Sequence, residues 1–245
     1  MIDTGIPTRR VCLFDVHLLG AQAFNTAGVK QKTSKDILQD DKIPKAFFDV
    51  RNDSDALFAH FGVRLQGVED VQLMESATRR TTGSRKFLNG LAKCVEKNVF
   101  MSQSGTDLAS WKLAKEKEER LFKAEHGGSY EVFDQRPIPE EIISYCVSDI
   151  QCLPELRDRI WSRADRWRDL VDGETKKRVA ASQKPEYQPH GPDRTVAPWS
   201  DDQNRTLDQW NYVPPRDYFD EDWDDGRGDN DYEDWTRADW QGPPS

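Results

Sequence analysis

The sequence predicts an α/β layered body followed by a disordered acidic tail, and three observations carry that expectation. Short β-branched and aromatic runs alternate with segments of helical spacing through the first two thirds of the chain, as a sheet covered by helices requires. Charge then divides the molecule. Residues 171–245 hold 18 acidic and 9 basic side chains, whereas residues 1–170 hold 26 of each sign, so the whole formal charge of −9 sits in the tail. Finally, residues 217–240 read DYFDEDWDDGRGDNDYEDWTRADW, where Asp alternates with aromatic residues and aliphatics are nearly absent. Such a stretch buries too little apolar surface to offset the entropy of ordering it.

Val11 to Val16 (VCLFDV) is short and β-rich and reads as a strand. Ser34 to Gln39 reads as a short helix with Ser34 as its N-cap. Lys45 to Val50 (KAFFDV), preceded by Pro44, is a second strand. Asp53 to Phe61 has apolar residues at 56, 57, 58 and 61, which is helical spacing, and Gly62 supplies its C-cap. Val68 to Met74 is a third strand. Ser84 to Asn98 and Asp107 to Phe122 are amphipathic helices, the second with a solvated KEKEER face. Gly127-Gly128 breaks the pattern, and Pro139 to Trp167 reads as two helices meeting near Pro154. After residue 171 no period is sustained. The expected division is a body over 1–170 and an acidic, aromatic tail over 171–245. Five of the eight Trp lie in that tail and suit docking to a basic protein partner.

Composition excludes several classes. There is no apolar run long enough to span a bilayer, and MIDTGIPTRR lacks the apolar core of a secretory signal. Cys12, Cys94, Cys146 and Cys152 form no CxxC pair and suit reduced, buried thiols, so an intracellular protein of nucleus or cytoplasm is expected. His17, His60, His126 and His190 show no ligand spacing.

Two places carry candidate chemistry. Asp53 opens a helix at the C-terminal end of the KAFFDV strand, where α/β sites form, although taken alone an ordinary N-cap is the plainer reading. Tyr145 and Asp149 are four residues apart on a helix and share one face. Asp149 suits a hard divalent ion, and Tyr145 suits orienting a water against it; packing and solvation are the plain alternatives. Arg51, Arg79 and Arg80 are candidate contacts to nucleic-acid phosphates.

Taken together, KAFFDVRNDSDALFAHFG at 45–62, GLAKCVE at 90–96 and RPIPEEIISYCVSDIQCLPEL at 136–156 resemble the 3′–5′ exonuclease domain family. The resemblance runs from residue 11 to about 165. It points to the ribonuclease D and Werner-exonuclease branch of the RNase H-like superfamily, near the Egalitarian-type domains. It implies an RNase H-like sheet and two ions, Mg²⁺ or Mn²⁺, ~3.5–4 Å apart. By motif, Asp53 and Asp149 would hold metal and Tyr145 would orient the attacking water. The implied partner is the 3′ end of RNA or DNA. The family's remaining motif, Asp-x-Glu on the central first strand, has no counterpart. VCLFDV matches the third strand, and only ten residues precede it. Asp172-Gly-Glu174 and Asp231-Tyr-Glu233 lie beyond the third motif in strandless contexts. The expectation is therefore a domain lacking its first two strands, incomplete at its N-terminus, with hydrolysis impaired. The alternative is a catalytically inactive module that binds nucleic acid or protein.

Overall fold

The computed structural model describes residues 11–99, 109, 111–113, 115–117, 120–162 and 166–214. At its centre is a two-stranded parallel sheet, β1 (Lys45–Phe47) beside β2 (Val68–Asp70), with Lys45 opposite Val68 and Phe47 opposite Asp70. The crossover between them is α4 (Arg51–Phe61), and Gly62 closes that helix in the left-handed region at φ 61°. Gly adopts that conformation without a Cβ clash.

Three short helices precede the sheet: α1 (Val16–Leu19), α2 (Gln22–Asn25) and α3 (Ser34–Gln39). The cap of α3 is Thr33, whose hydroxyl accepts from the Asp36 amide while Asp36 accepts from the Thr33 amide. Ser34 is therefore the first helical residue and not the cap. The expected VCLFDV strand does not form. Residues 11–15 have no regular structure, and Asp15 caps α1. A strand needs a neighbour to take its backbone hydrogen bonds, and none lies beside this segment among the described residues. Instead Asp15 and Arg136 form a two-bond ion pair, at 2.7 Å for each bond.

The third expected strand is also cut short. Asp70 ends β2 and its carboxylate caps α5 (Val71–Ala77), every residue of which is buried. The apolar run VQLM thus reads as a buried helix, an ambiguity that periodicity cannot resolve over so few residues. The helix expected over 84–98 is two pieces, α6 (Thr82–Arg85) and α7 (Leu91–Asn98). Between them Phe87 pairs antiparallel with Val196, and the Leu88 amide donates to the Thr195 carbonyl. Most of the expected helix over 107–122 lies outside the described residues. Glu140–Gln151 (α8) and Leu153–Trp161 (α9) follow, separated at Cys152, with Pro154 inside the first turn of α9.

The largest departure lies after residue 167. Arg168–Ser182 forms α10 and Asp201–Trp210 forms α11, capped by Ser200 and Gln203. Helix α10 packs on α4, β2 and α5. Val171, Trp199 and Leu207 join the core with Leu73, Met74, Leu156, Ile160 and Trp167. The boundary expected at 171 is therefore misplaced, and the folded unit runs to Tyr212. Two of the five tail tryptophans belong to this packing, Trp199 buried and Trp210 against it. The acidic, aromatic stretch 217–240 lies outside the described residues. Among the cysteines only Cys94 is buried and Cys12 is exposed; all four are free thiols. No helix among the described residues is long and apolar enough to cross a membrane.

Candidate active site

The site is built at the C-terminal end of β1. Directly after the strand the chain reverses at Asp49, which holds φ 60°. Asp tolerates this left-handed conformation better than most residues. The reversal lets α4 start at Arg51 with Val50 as N-cap, and places Asp53 in its first turn. Asp53 is therefore not the cap but a first-turn carboxylate, where the helix dipole favours negative charge.

Asp70 holds this turn from below. Its side chain is fully buried, and its two oxygens accept from the amides of Asp49, Val50, Gln72 and Leu73 at 3.1–3.4 Å. One carboxylate thus pins the start of α4 and the start of α5 together. Arg178, from α10, completes it with a bond of 2.7 Å and also reaches Gln72 at 3.1 Å. Asp49 is held by Arg51 through two bonds of 2.6 Å, with Arg178 at 3.5 Å. Burial alone would raise the Asp49 carboxyl, but bonded Arg51 and nearby Arg178 outweigh it and keep it below its ordinary range. Desolvation by the surrounding protein, then the charges of Asp49 and Asp70, push Asp53 up to about 6. Its side chain is nonetheless exposed, so water screens part of that push.

Tyr145 sits elsewhere, on α8. Its ring meets Phe122 at 4.9 Å and Phe133 at 6.4 Å, and the Lys115 ammonium lies 4.7 Å from its centroid. Asp149 lies one turn further along α8, and its side chain falls outside the described atoms. Helix α4 packs on α10, and α8 packs on α9. The acidic groups acting on Asp53 are Asp49 and Asp70, neither of which the sequence reading singled out. Asp70 was hidden inside an apparent strand, and its value as an N-cap ahead of Val71 was the available signal.

The arginines divide. Arg51 serves Asp49 and donates to the Arg194 carbonyl at 2.9 Å. Arg79 pairs with Glu75 and donates to the carbonyls of Ser84 and Phe87. Both are committed to internal partners and are poorly placed to meet a phosphate. Arg80 is exposed.

A divalent ion is bound by several oxygens at once, usually with more than one carboxylate. Among the described residues, no group of three or more His, Cys, Asp or Glu is placed to hold a metal. Asp70 is saturated by four amides and an arginine, and Asp49 is chelated by Arg51. That leaves Asp53. These described residues do not fit a two-metal centre. Asp172 and Glu174, the nearer Asp-x-Glu, lie on helix α10 and pair with Lys176 and Lys177.

No curated protein sequence matches the chain. Solved structures do. The crystal structure of Trypanosoma brucei RNase D in complex with GMP aligns with TM-score 0.56 and 23% identity, over 81% of this chain and 54% of that one. The same RNase D in complex with RNA U12 aligns with TM-score 0.56 and 21% identity, over 79% and 59%. The chain thus spans little more than half the length of these structures, and they share its fold. The family model for the 3′–5′ exonuclease domain matches residues 8–165, well over half of the sequence. On that match, the chain with its parallel β1–α4–β2 unit belongs to the 3′–5′ exonuclease family.

Proposed function

We propose that this chain is a nucleic-acid-binding module of the exonuclease type, which engages single-stranded 3′ ends and hydrolyses them slowly or not at all by itself. One observation carries the reading: the carboxylates beside Asp53 are wired to arginines. Asp49 and Asp70 are neutralised by Arg51 and Arg178, so of the three acids at this turn Asp53 alone keeps an open valence toward a cation. The family's chemistry runs on divalent ions held by several carboxylates, and groups that act as a unit lose most of their effect when one is missing. The nucleic-acid half of the proposal draws on the family match and on the neighbour's RNA-bound form. Asp53, Asp149 and Tyr145 remain the residues on which any cleavage by this chain would depend, with Mg²⁺ or Mn²⁺ as the ion.

The test uses the full chain and a 5′-labelled single strand. Binding is read in EDTA, and cleavage is read after adding Mg²⁺ or Mn²⁺. Binding that weakens with salt, together with little shortening of the strand, is the expected result. Rapid stepwise shortening that Asp53→Asn abolishes would overturn the inactive part of the proposal and establish a working nuclease.

A further inference from the structure

A second surface lies at the far end of α5 from Asp70. There the chain leaves α5, turns through α6 and returns along α7, enclosing an open groove of about 610 Å³. Its walls carry Arg80 from the turn after α5, and Lys93 and Lys97, one helical turn apart, from α7. All three are exposed. The one acid in the groove, Glu75, is already matched by Arg79 and by the Asn89 amide. The groove therefore holds three cations in excess. On its rim Phe87 is 53% exposed, so one face of its ring is open to a stacking partner, and the Lys86 ammonium stands 5.3 Å from its centroid.

The groove connects to the Asp53 turn through the backbone of the C-terminal segment. Arg51, two residues before Asp53, donates to the Arg194 carbonyl. Two residues further on, Val196 pairs with Phe87. Pro192–Thr195 is a 3-10 turn, and even fully extended chain spans at most ~3.6 Å per residue, so little backbone separates the Arg194 carbonyl from the partner of Phe87.

We propose that this groove binds single-stranded nucleic acid, seating backbone phosphates on Arg80, Lys93 and Lys97 and stacking a base on Phe87. Isolated lysines on a helix are ordinarily a solvated face. Here the cations converge from two elements on a concave surface beside an uncovered aromatic ring, the combination that single-strand binders use. The proposal rests on the nucleic-acid reading above and gives it a location.

The experiment measures affinity of the full chain for a short fluorescein-labelled single-stranded RNA by anisotropy in EDTA, across a salt series. Lys93→Glu with Lys97→Glu should weaken binding at least tenfold and lower the salt slope by ~1.4, since each phosphate contact on a single strand contributes ~0.7. Phe87→Ala should weaken binding about tenfold with the slope unchanged, as loss of one stacked base does. Lys30→Glu with Lys32→Glu makes the same change in net charge on another surface and should leave affinity within about twofold, since charges well beyond ~10 Å are screened at ~0.1 M salt. All the altered side chains are exposed, so circular dichroism should be unchanged. If the unaltered chain binds no strand at low salt, both this proposal and the nucleic-acid reading fall. If it binds but the Lys93/Lys97 variant keeps its affinity and slope, the groove is wrong and the reading stands. Equal weakening by the Lys30/Lys32 control, or full affinity in Phe87→Ala, overturns the groove as well.

Discussion

The two places where the family signature falls, the Asp53 turn and the Tyr145 helix, are built by opposite means. Around Asp53 the architecture is electrostatic. A fully buried Asp70 collects four amides and a guanidinium, and the turn cannot move without unpairing them. Around Tyr145 it is aromatic, a cluster of Phe122, Tyr130, Phe133 and Tyr145 rings with centroids 4.9–6.4 Å apart. Charge networks are all-or-none, because removing one member strands the rest in low dielectric. Ring clusters lose contacts one by one. The difference also places a requirement on the chain. The keystone of the Asp53 side is Arg178, which lies beyond residues 8–165, the stretch matched by the family model.

That contrast can be broken most sharply at Arg178. Arg178→Ala leaves Asp70 buried and without its cation, and should cost about 3–5 kcal/mol. Urea denaturation measures it, and a loss below ~1 kcal/mol would mean that the turn does not depend on α10. Next in size is Leu207→Ala, ~2–5 kcal/mol for emptying a fully buried leucine site. It tests whether α11 folds as part of the same body, since a single unfolding transition shifted as a whole is expected. On the aromatic side, Tyr145→Ala should cost only about 1–3 kcal/mol, because the ring is half-buried and its partners can close in. A cost equal to that of Arg178→Ala would erase the contrast.

The smallest effect has the opposite sign. Asp53 titrates near 6 in the fold and near ~3.9 when unfolded. The folded chain holds this proton more tightly, so the stability it contributes is present in full below the unfolded value. It is lost as pH rises through about 6. Above that the charged carboxylate burdens the fold. Asp53→Asn should therefore stabilise the chain at pH 7 by less than about 1 kcal/mol, once solvent screening of this exposed group is allowed for. The gain should fade toward pH 4, as denaturation midpoints at the two pH values would show. Destabilisation at pH 7 would mean that Asp53 is engaged with a cation of its own.

Several of these features were legible in the residues. The helix spacing at 56, 57, 58 and 61, the Gly62 cap and the break near Pro154 follow from local sterics and period, and the family was readable from the same stretches. VCLFDV and VQLM were misread for one reason. Short apolar runs are compatible with strand and helix alike, and the choice depends on which neighbour takes the backbone bonds. The segment after 171 was misread because its average composition is polar. A few well-placed residues, Val171, Trp199 and Leu207, suffice to bury one face of two helices, and an average conceals them.

By itself the sequence determined part of the local grammar: that the helix after KAFFDV ends at Gly62, that the chain breaks near Pro154, and which strand end precedes Asp53. These depend on dihedral preference and period within a few residues. Only the tertiary structure decided which charges are spent internally. Arg51 and Arg79 look available in a string of letters, yet they are consumed by Asp49 and Glu75. Arg178 looks like one basic residue of an acidic tail, yet 108 positions separate it from the carboxylate it completes. Charge pairing depends on distance in space, and no local pattern encodes it across such a separation.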